Sequence, residues 1–130
     1  MAYILVSFFL FFQDILPLIL SGYDYDTRAI IIFAPDNRSG LYTQTISLLT
    51  RDPLGLDSRD IKIFEIFNEG GIGPAGESYT REDVTSIRTY YKIEPSDFNI
   101  LLSHKKFEEI FKSDKPLEIQ EIFQKFDEDD

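Results

Sequence analysis

The run Arg28-Ala-Ile-Ile-Ile-Phe-Ala-Pro35 leaves this chain fewer folding options than any other segment. Five apolar residues stand in a row, Ala29 to Phe33, and three of them are β-branched. A basic residue precedes the run and Pro35-Asp36-Asn37 stops it. A segment this short and this apolar reads as a strand buried on both faces, as found inside a sheet flanked by helices. The rest of the domain has to be packed around it.

After the strand, Asp36, Asn37 and Ser39 offer N-cap oxygens. Leu41, Tyr42, Thr45, Leu48 and Leu49 then recur at helical spacing, ending near Arg51 and ahead of Pro53. Residues 52–59 carry turn chemistry and read as a loop. Residues 60–67 form a second strand, with Lys62 and Glu65 as polar exceptions that place it nearer an edge than the first. Residues 68–78 hold four glycines and a proline and read as a mobile loop. Thr80-Arg-Glu-Asp83 is a capping box, in its shorter-acid form, for a helix with Val84, Ile87 and Tyr91 on one stripe. A hairpin follows: a strand over 98–103, a turn at His104-Lys105-Lys106, and a strand over 107–112. Pro116 opens a last helix, whose Ile119, Ile122, Phe123 and Phe126 make the clearest amphipathic stripe in the chain. Asp127-Glu128-Asp129-Asp130 reads as a frayed, solvated tail.

This order predicts an α/β domain of β-α-β-α-β-β-α type, with a four-stranded mixed sheet and helices on both faces. The first two strands are expected parallel, joined by a right-handed crossover, and the last two antiparallel. It is the core arrangement of the thioredoxin fold. The domain is expected to span residues 23–126, between an N-terminal segment of residues 1–22 and an acidic tail of residues 127–130.

The N-terminal segment is almost wholly apolar from Tyr3 to Leu20, and three readings stay open. A cleaved signal peptide would have its core at Tyr3–Phe12 and its exit near Ser21-Gly22, but no Lys or Arg precedes that core. A retained anchor would have to tolerate Asp14 near its middle, at a cost of about 2.5–3.5 kcal/mol, and a kink at Pro17. A core helix of the domain, or a mis-assigned start, is the third. The first two place the domain outside the cytoplasm, secreted or periplasmic, or membrane-anchored if the segment is kept.

With 43% hydrophobic residues, 130 residues suffice for one domain with a sizeable core. Thirteen basic against 23 acidic residues give a net charge of -10, which argues against nucleic acid or anionic lipid as partner. The chain has no Cys and one His. Disulfides, thiolate nucleophiles, iron–sulfur clusters, zinc-thiolate sites and multi-His metal sites are therefore ruled out. No cofactor or metal is expected.

The individual motifs have plain structural readings. Gly71-Ile-Gly73-Pro-Ala-Gly76 is a literal G-x-G-x-x-G, but a dinucleotide site needs the helix to begin inside the motif, whereas the best start here is Thr80. His104 reads as an exposed turn residue, with no nucleophile elbow to serve. Glu108 and Glu109 are adjacent on a strand and point to opposite faces, so they make no catalytic pair. Phe107, Phe111, Phe123 and Phe126 read as core, with a partner surface as the alternative. What is left is the end of the first strand. Ligands of open α/β sheets bind outside the carboxyl ends of strands. Asp36, Asn37, Arg38 and Ser39 stand there at a helix start and form the candidate contact for an anion, a peptide or another small ligand. The alternative is that Asp36 or Asn37 simply caps the helix and Arg38 is solvated.

The stretch Ile-Ile-Ile-Phe33-Ala34-Pro35 before a capped helix resembles the active-site corner of thioredoxins and peroxiredoxins. There cysteines start the helix; here Asp36-Asn37-Arg38-Ser39-Gly40 does. The cis-proline of that family would fall near Ser96-Asp97, and the nearest proline, Pro95, is offset. A narrower resemblance rests on Arg28-(apolar)-Phe33-Ala34-Pro35, the second strand, Tyr91-Lys-Ile, and Lys112-Ser-Asp-Lys-Pro-Leu117. From Tyr23 to Phe126 these are similar to a domain of unknown function. That domain occurs in small secreted or periplasmic bacterial proteins and in animal sushi-repeat-containing and coiled-coil-domain matrix proteins. Its members usually carry a Gly-Lys-Asp-Gly-Gly type turn between the last strands, where this chain has His104-Lys105-Lys106-Phe107-Glu108. The resemblance implies no reaction. The expected function is an exported, non-catalytic binding or structural module. An enzyme or redox accessory on the same fold, and a membrane-tethered interaction protein, are the alternatives.

Overall fold

The computed structural model describes residues 15–130. In chain order the elements are β1 (Arg28–Phe33), α1 (Gly40–Leu49), α2 (Pro53–Ser58), β2 (Ile61–Ile66), β3 (Gly71–Ile72), β4 (Ser78–Tyr79), α3 (Arg81–Tyr91), β5 (Asn99–His104), β6 (Glu108–Ser113) and α4 (Ile119–Glu128). The strands form one mixed sheet in the order β4-β3-β2-β1-β5-β6. The expected strand thus lies inside the sheet, parallel to β2 on one side and antiparallel to β5 on the other. β5 and β6 are the expected antiparallel hairpin.

Alternation along β1 feeds two cores. Ala29, Ile31 and Phe33 point to one face, where Val84, Ile87 and Tyr91 of α3 cover them. Ile30, Ile32 and Ala34 point to the other, under Leu49 of α1 and Ile119, Ile122, Phe123 and Phe126 of α4. All three isoleucines of β1 are fully buried. At roughly 2 kcal/mol for each side chain removed from water, this strand anchors both layers. The four phenylalanines expected in the core divide between the faces. Phe107 sits on the α3 side, Phe123 and Phe126 on the α4 side, and Phe111 is half-buried beneath Lys125.

Several expectations are corrected. The sheet has six strands, not four, because residues 68–78 are not a formless loop. They carry β3 and β4, a short hairpin that extends the β2 edge. Gly71 is needed there, since a Cβ would collide with the Glu65 carbonyl, and Gly76 turns the chain at φ +84. Residues 53–58 are helical: Asp52 accepts from Gly55 N at 2.9 Å and Pro53 stands at the first position, a start signal that composition alone presents as a turn. The last helix begins at Ile119, past Pro116. The turn between β5 and β6 is shifted by one residue, to Lys105, Lys106 and Phe107, and all three have positive φ. His104 is therefore the last residue of β5 and is 4% exposed, not a turn residue in solvent. The acidic tail is not frayed. Asp127 and Glu128 complete α4, and Asp127, Asp129 and Asp130 all contact the body of the domain.

Of the apolar stretch Tyr3–Leu20, residues 3–14 lie outside the described residues. Leu20, in a short 3-10 turn, is fully buried in the α3-side core, with Leu16 and Ile19 packed against it. Packing therefore extends N-terminal to Tyr23. Among the described residues no helix is long and apolar enough to cross a membrane.

Candidate functional site

β1 ends at Phe33, and Pro35, which lacks an N–H, cannot extend the ladder. The ends of β1 and β2 are tied together: Ala34 N donates to Ile66 O at 3.0 Å and Asn68 N to Pro35 O at 3.2 Å. Arg88 of α3, 8% exposed, donates to Phe67 O at 2.7 Å and Asn68 O at 3.4 Å, and burial pulls its pKa down. On the other face the Tyr42 hydroxyl donates to Glu65, and its ring packs edge-on against Phe67 at 5.1 Å. These contacts fix the first turn of α1 to the sheet. Burial, then the Glu65 bond, pushes the Tyr42 hydroxyl well above its ordinary value.

The four expected contact residues follow Pro35. Asp36, Asn37 and Arg38 are exposed; Ser39 is half-buried. Asp36 Oδ1 accepts from Arg38 N at 2.8 Å, which shapes the turn before the helix but does not cap it. Ser39 holds the N-cap position with no side-chain hydrogen bond, and no acid stands in the first turn of α1. The start of α1 is consequently open and electropositive.

A cavity of about 580 Å³ lies beside this corner. Of the four residues only Ser39 lines it. The other walls come from the α3–β5 connection and the end of β6. Pro35, Leu41, Ile93 and Phe98 supply apolar surface; Leu41, placed on the apolar stripe of α1 by its spacing, is 41% exposed here. Lys92 and Lys112 supply cations, and Asp97 and Asp114 carboxylates. Ser39, Ser96, Asp97 and Asn99 add polar groups to the same lining. Lys92 projects from the C-cap of α3 in the left-handed conformation, at φ 61, and Ile93 N closes the turn onto Arg88 O at 2.9 Å. Sequence spacing pointed to none of Lys92, Ser96, Asn99 and Lys112. The only available signal was the element order, which sets the start of β5 and the end of β6 beside the end of β1.

The remaining motifs have structural roles. The amides of the G-x-G-x-x-G segment are used internally: Gly73 N donates to Glu77 O at 2.8 Å, Gly76 N to Gly73 O at 3.0 Å and Ala75 N to Glu77 Oε1 at 2.6 Å. α3 begins only after it, capped by Thr80, whose hydroxyl accepts from Asp83 N at 3.1 Å while Asp83 accepts from Thr80 N at 3.0 Å. Glu108 and Glu109 pair with His104 and Ser103, so they face opposite sides of the sheet. Among the described residues no cluster of three or more His, Cys, Asp or Glu could hold a metal ion.

The chain belongs to the family described as a domain of unknown function, DUF4174, whose family model matches residues 19–129. No curated protein matches it.

Proposed function

We propose that this DUF4174 domain is a non-catalytic, thioredoxin-like binding module of an exported protein, and that it binds at the cleft beside the β1 corner. The sheet order supports the fold reading. The segment β2-β1-β5-β6, with β1 and β2 parallel and the other neighbours antiparallel, has the strand arrangement of the thioredoxin core, and the β3–β4 hairpin is an addition at the β2 edge. Where such domains place their cysteines, this chain has Asp36-Asn37-Arg38-Ser39, and it has no Cys elsewhere. Binding without thiol chemistry is the use left for the corner.

The observation that carries the proposal is the 580 Å³ cleft at the carboxyl end of β1. Its mixture of two lysines, two aspartates and an apolar floor suits a short peptide segment. One carboxylate would meet Lys92, Lys112 and the open turn of α1, and one apolar side chain would lie on Leu41 and Phe98. The apolar N-terminal stretch and the sequence resemblance support export. Leu16, Ile19 and Leu20 pack into the core, so a cut at the expected exit near Ser21-Gly22 would remove side chains that this fold buries.

The test is an amide-shift NMR titration with pooled pentapeptides bearing free carboxylates. Shifts are expected at residues 39–41, 92–99 and 112–114, and weaker binding after Lys92→Ala together with Lys112→Ala. Binding that leaves those amides unmoved, or that survives the double substitution unchanged, refutes the assignment.

A further inference from the structure

A second concentration of charge lies at the opposite end of the sheet. The starts of the parallel strands β1 and β2 and the end of the antiparallel β5 meet there. With them come Arg28, Arg59, His104 and Lys105. Each is engaged by the last residues of the chain. Arg28 Nη2 donates to both carboxylate oxygens of Asp130 at 2.6 Å. Arg59 Nη2 donates to Asp127 at 3.4 Å, His104 Nδ1 lies 2.7 Å from Asp129 Oδ2, and Lys105 Nζ donates to Asp129 O at 3.2 Å.

The two sides of this contact differ in how firmly they are held. The guanidinium groups are fixed by the fold: Arg28 Nη1 donates to Arg59 O at 3.3 Å, and the Arg59 guanidinium lies 4.0 Å from the centre of the Phe123 ring. The His104 side chain is 5% exposed. The carboxylates are not enclosed. Side-chain exposure is 59% for Asp127, 32% for Asp129 and 47% for Asp130, and the last two lie beyond the end of α4. Ion pairs this exposed are individually weak and yield to competition. The acids also stand at the negative end of the α4 dipole, which disfavours them there without the cations.

We propose that Asp127–Asp130 is a displaceable cover on a cationic shelf, and that the shelf binds an acidic peptide segment of another protein in its place. The chain's own residues show the ligand chemistry: carboxylates spaced along one or two turns, reaching Arg28, Arg59 and the His104–Lys105 corner together. Glu108 and Glu109 lie at the His104 end, and Asp26 acts on Arg28. These exposed acids flank the shelf, so they restrict a partner to the path the cover takes and repel a diffuse polyanion. The proposal is independent of the cleft, which is built from the other ends of the same strands.

The probe is the acetylated peptide of residues 124–130, Gln-Lys-Phe-Asp-Glu-Asp-Asp, with Gln-Lys-Phe-Asn-Gln-Asn-Asn as control. It is titrated by NMR into the full chain and into the full chain carrying Asp127→Asn, Asp129→Asn and Asp130→Asn. The opened variant is expected to bind the acidic peptide about tenfold more tightly than the unaltered chain, with shifts at residues 28, 59, 104 and 105. Adding Arg28→Ala or raising salt to about 0.5 M should remove that binding. Asp130→Asn alone gives a milder opening should the triple variant melt early, and is expected to gain affinity in the same direction. Equal affinity with and without the cover overturns the proposal. So does a folded, less thermostable variant that gains no binding, which would make the tail a clasp and nothing more. Shifts confined to residues 39–41 and 92–99 would also overturn it while leaving the cleft assignment intact.

Discussion

Lys106→Gly should make this protein more stable, although glycine usually does the reverse. Lys105, Lys106 and Phe107 are consecutive residues at φ 51, 64 and 60, and none is glycine. An L-residue in this region costs roughly 1–2 kcal/mol through the clash of its Cβ with the following carbonyl. The turn tolerates this because its surroundings hold it. Lys106 N donates to Tyr25 O at 2.6 Å, Tyr91 donates its hydroxyl to Phe107 O at 2.6 Å, and the Phe107 ring fills the core against Tyr23 and Phe64, with ring centres 5.8 and 5.9 Å away. Lys106 itself has an exposed side chain, and its backbone bond survives any substitution except proline. Glycine removes the Cβ penalty and returns about 0.5–1 kcal/mol of it through the greater freedom of the unfolded chain. The net gain should be about 0.5–1 kcal/mol, or a melting temperature higher by roughly 2–6 °C. Lys106→Ala is the control, because it removes the side chain and keeps the strained Cβ. Urea and thermal unfolding followed by circular dichroism should rank glycine above alanine. If alanine ranks equal or higher, the turn is not strained at this residue and the reasoning fails.

Three further outcomes follow from the same packing. Leu20→Ala should lower unfolding stability by about 2–5 kcal/mol in urea, since the side chain is fully buried beside Ile31 and Val84; a loss below about 0.5 kcal/mol would put residues 16–20 outside the folded unit. Burial lifts the Tyr91 hydroxyl above its ordinary 10.0, so the folded chain keeps a proton that the unfolded chain releases; stability should be complete below about pH 10, fall as pH rises from there, and fall less steeply in Tyr91→Phe, which itself costs about 1–3 kcal/mol by leaving the Phe107 carbonyl without its donor. The bond to Arg28 holds the Asp130 carboxyl below its ordinary 3.8, so its contribution is present above that value and lost as pH falls through the lower folded value; urea midpoints measured from about pH 5 to pH 2 should show a shallower acid slope in Arg28→Gln than in the unaltered chain.

The elements that could be read from sequence were those whose signal is local. The β1 run needed only its own apolar residues and the Pro35 that ends it. The α4 stripe needed only Ile119, Ile122, Phe123 and Phe126, all now buried, and α3 needed its capping box. The misreadings share a cause, which is that the same residue types serve two structures. Asp52-Pro53 opens a helix as readily as it makes a turn, and nothing within the segment decides between them. Gly71-Ile72 is too short to show a strand period; it becomes a strand because β2 offers an open edge. Phe107 has strand composition, so sequence alone sets the turn one residue early, at 104–106 rather than 105–107. Its burial under Tyr91 and Tyr23, not its backbone preference, fixes it in the turn.

Both candidate sites were hidden for the opposite reason: their residues are far apart in sequence and ordinary in type. Asp36, Asn37, Arg38 and Ser39 were visible because they follow one strand, yet only Ser39 faces the cleft, and Lys92 and Lys112 reach it from other segments. Topology accounts for both gatherings. Given β1 between a parallel β2 and an antiparallel β5, the ends of β1 and β6 and the start of β5 must share one end of the sheet. The starts of β1 and β2 and the end of β5 must share the other. Ser39, Asn99 and Lys112 are thereby collected at one end, and Arg28, Arg59 and His104 at the other. An acidic helix end that would fray alone finds four basic side chains there. Its order is a property of the strand arrangement, so exchanging all four basic residues for neutral ones should free Asp127–Asp130 while leaving the amide protection of β1 intact.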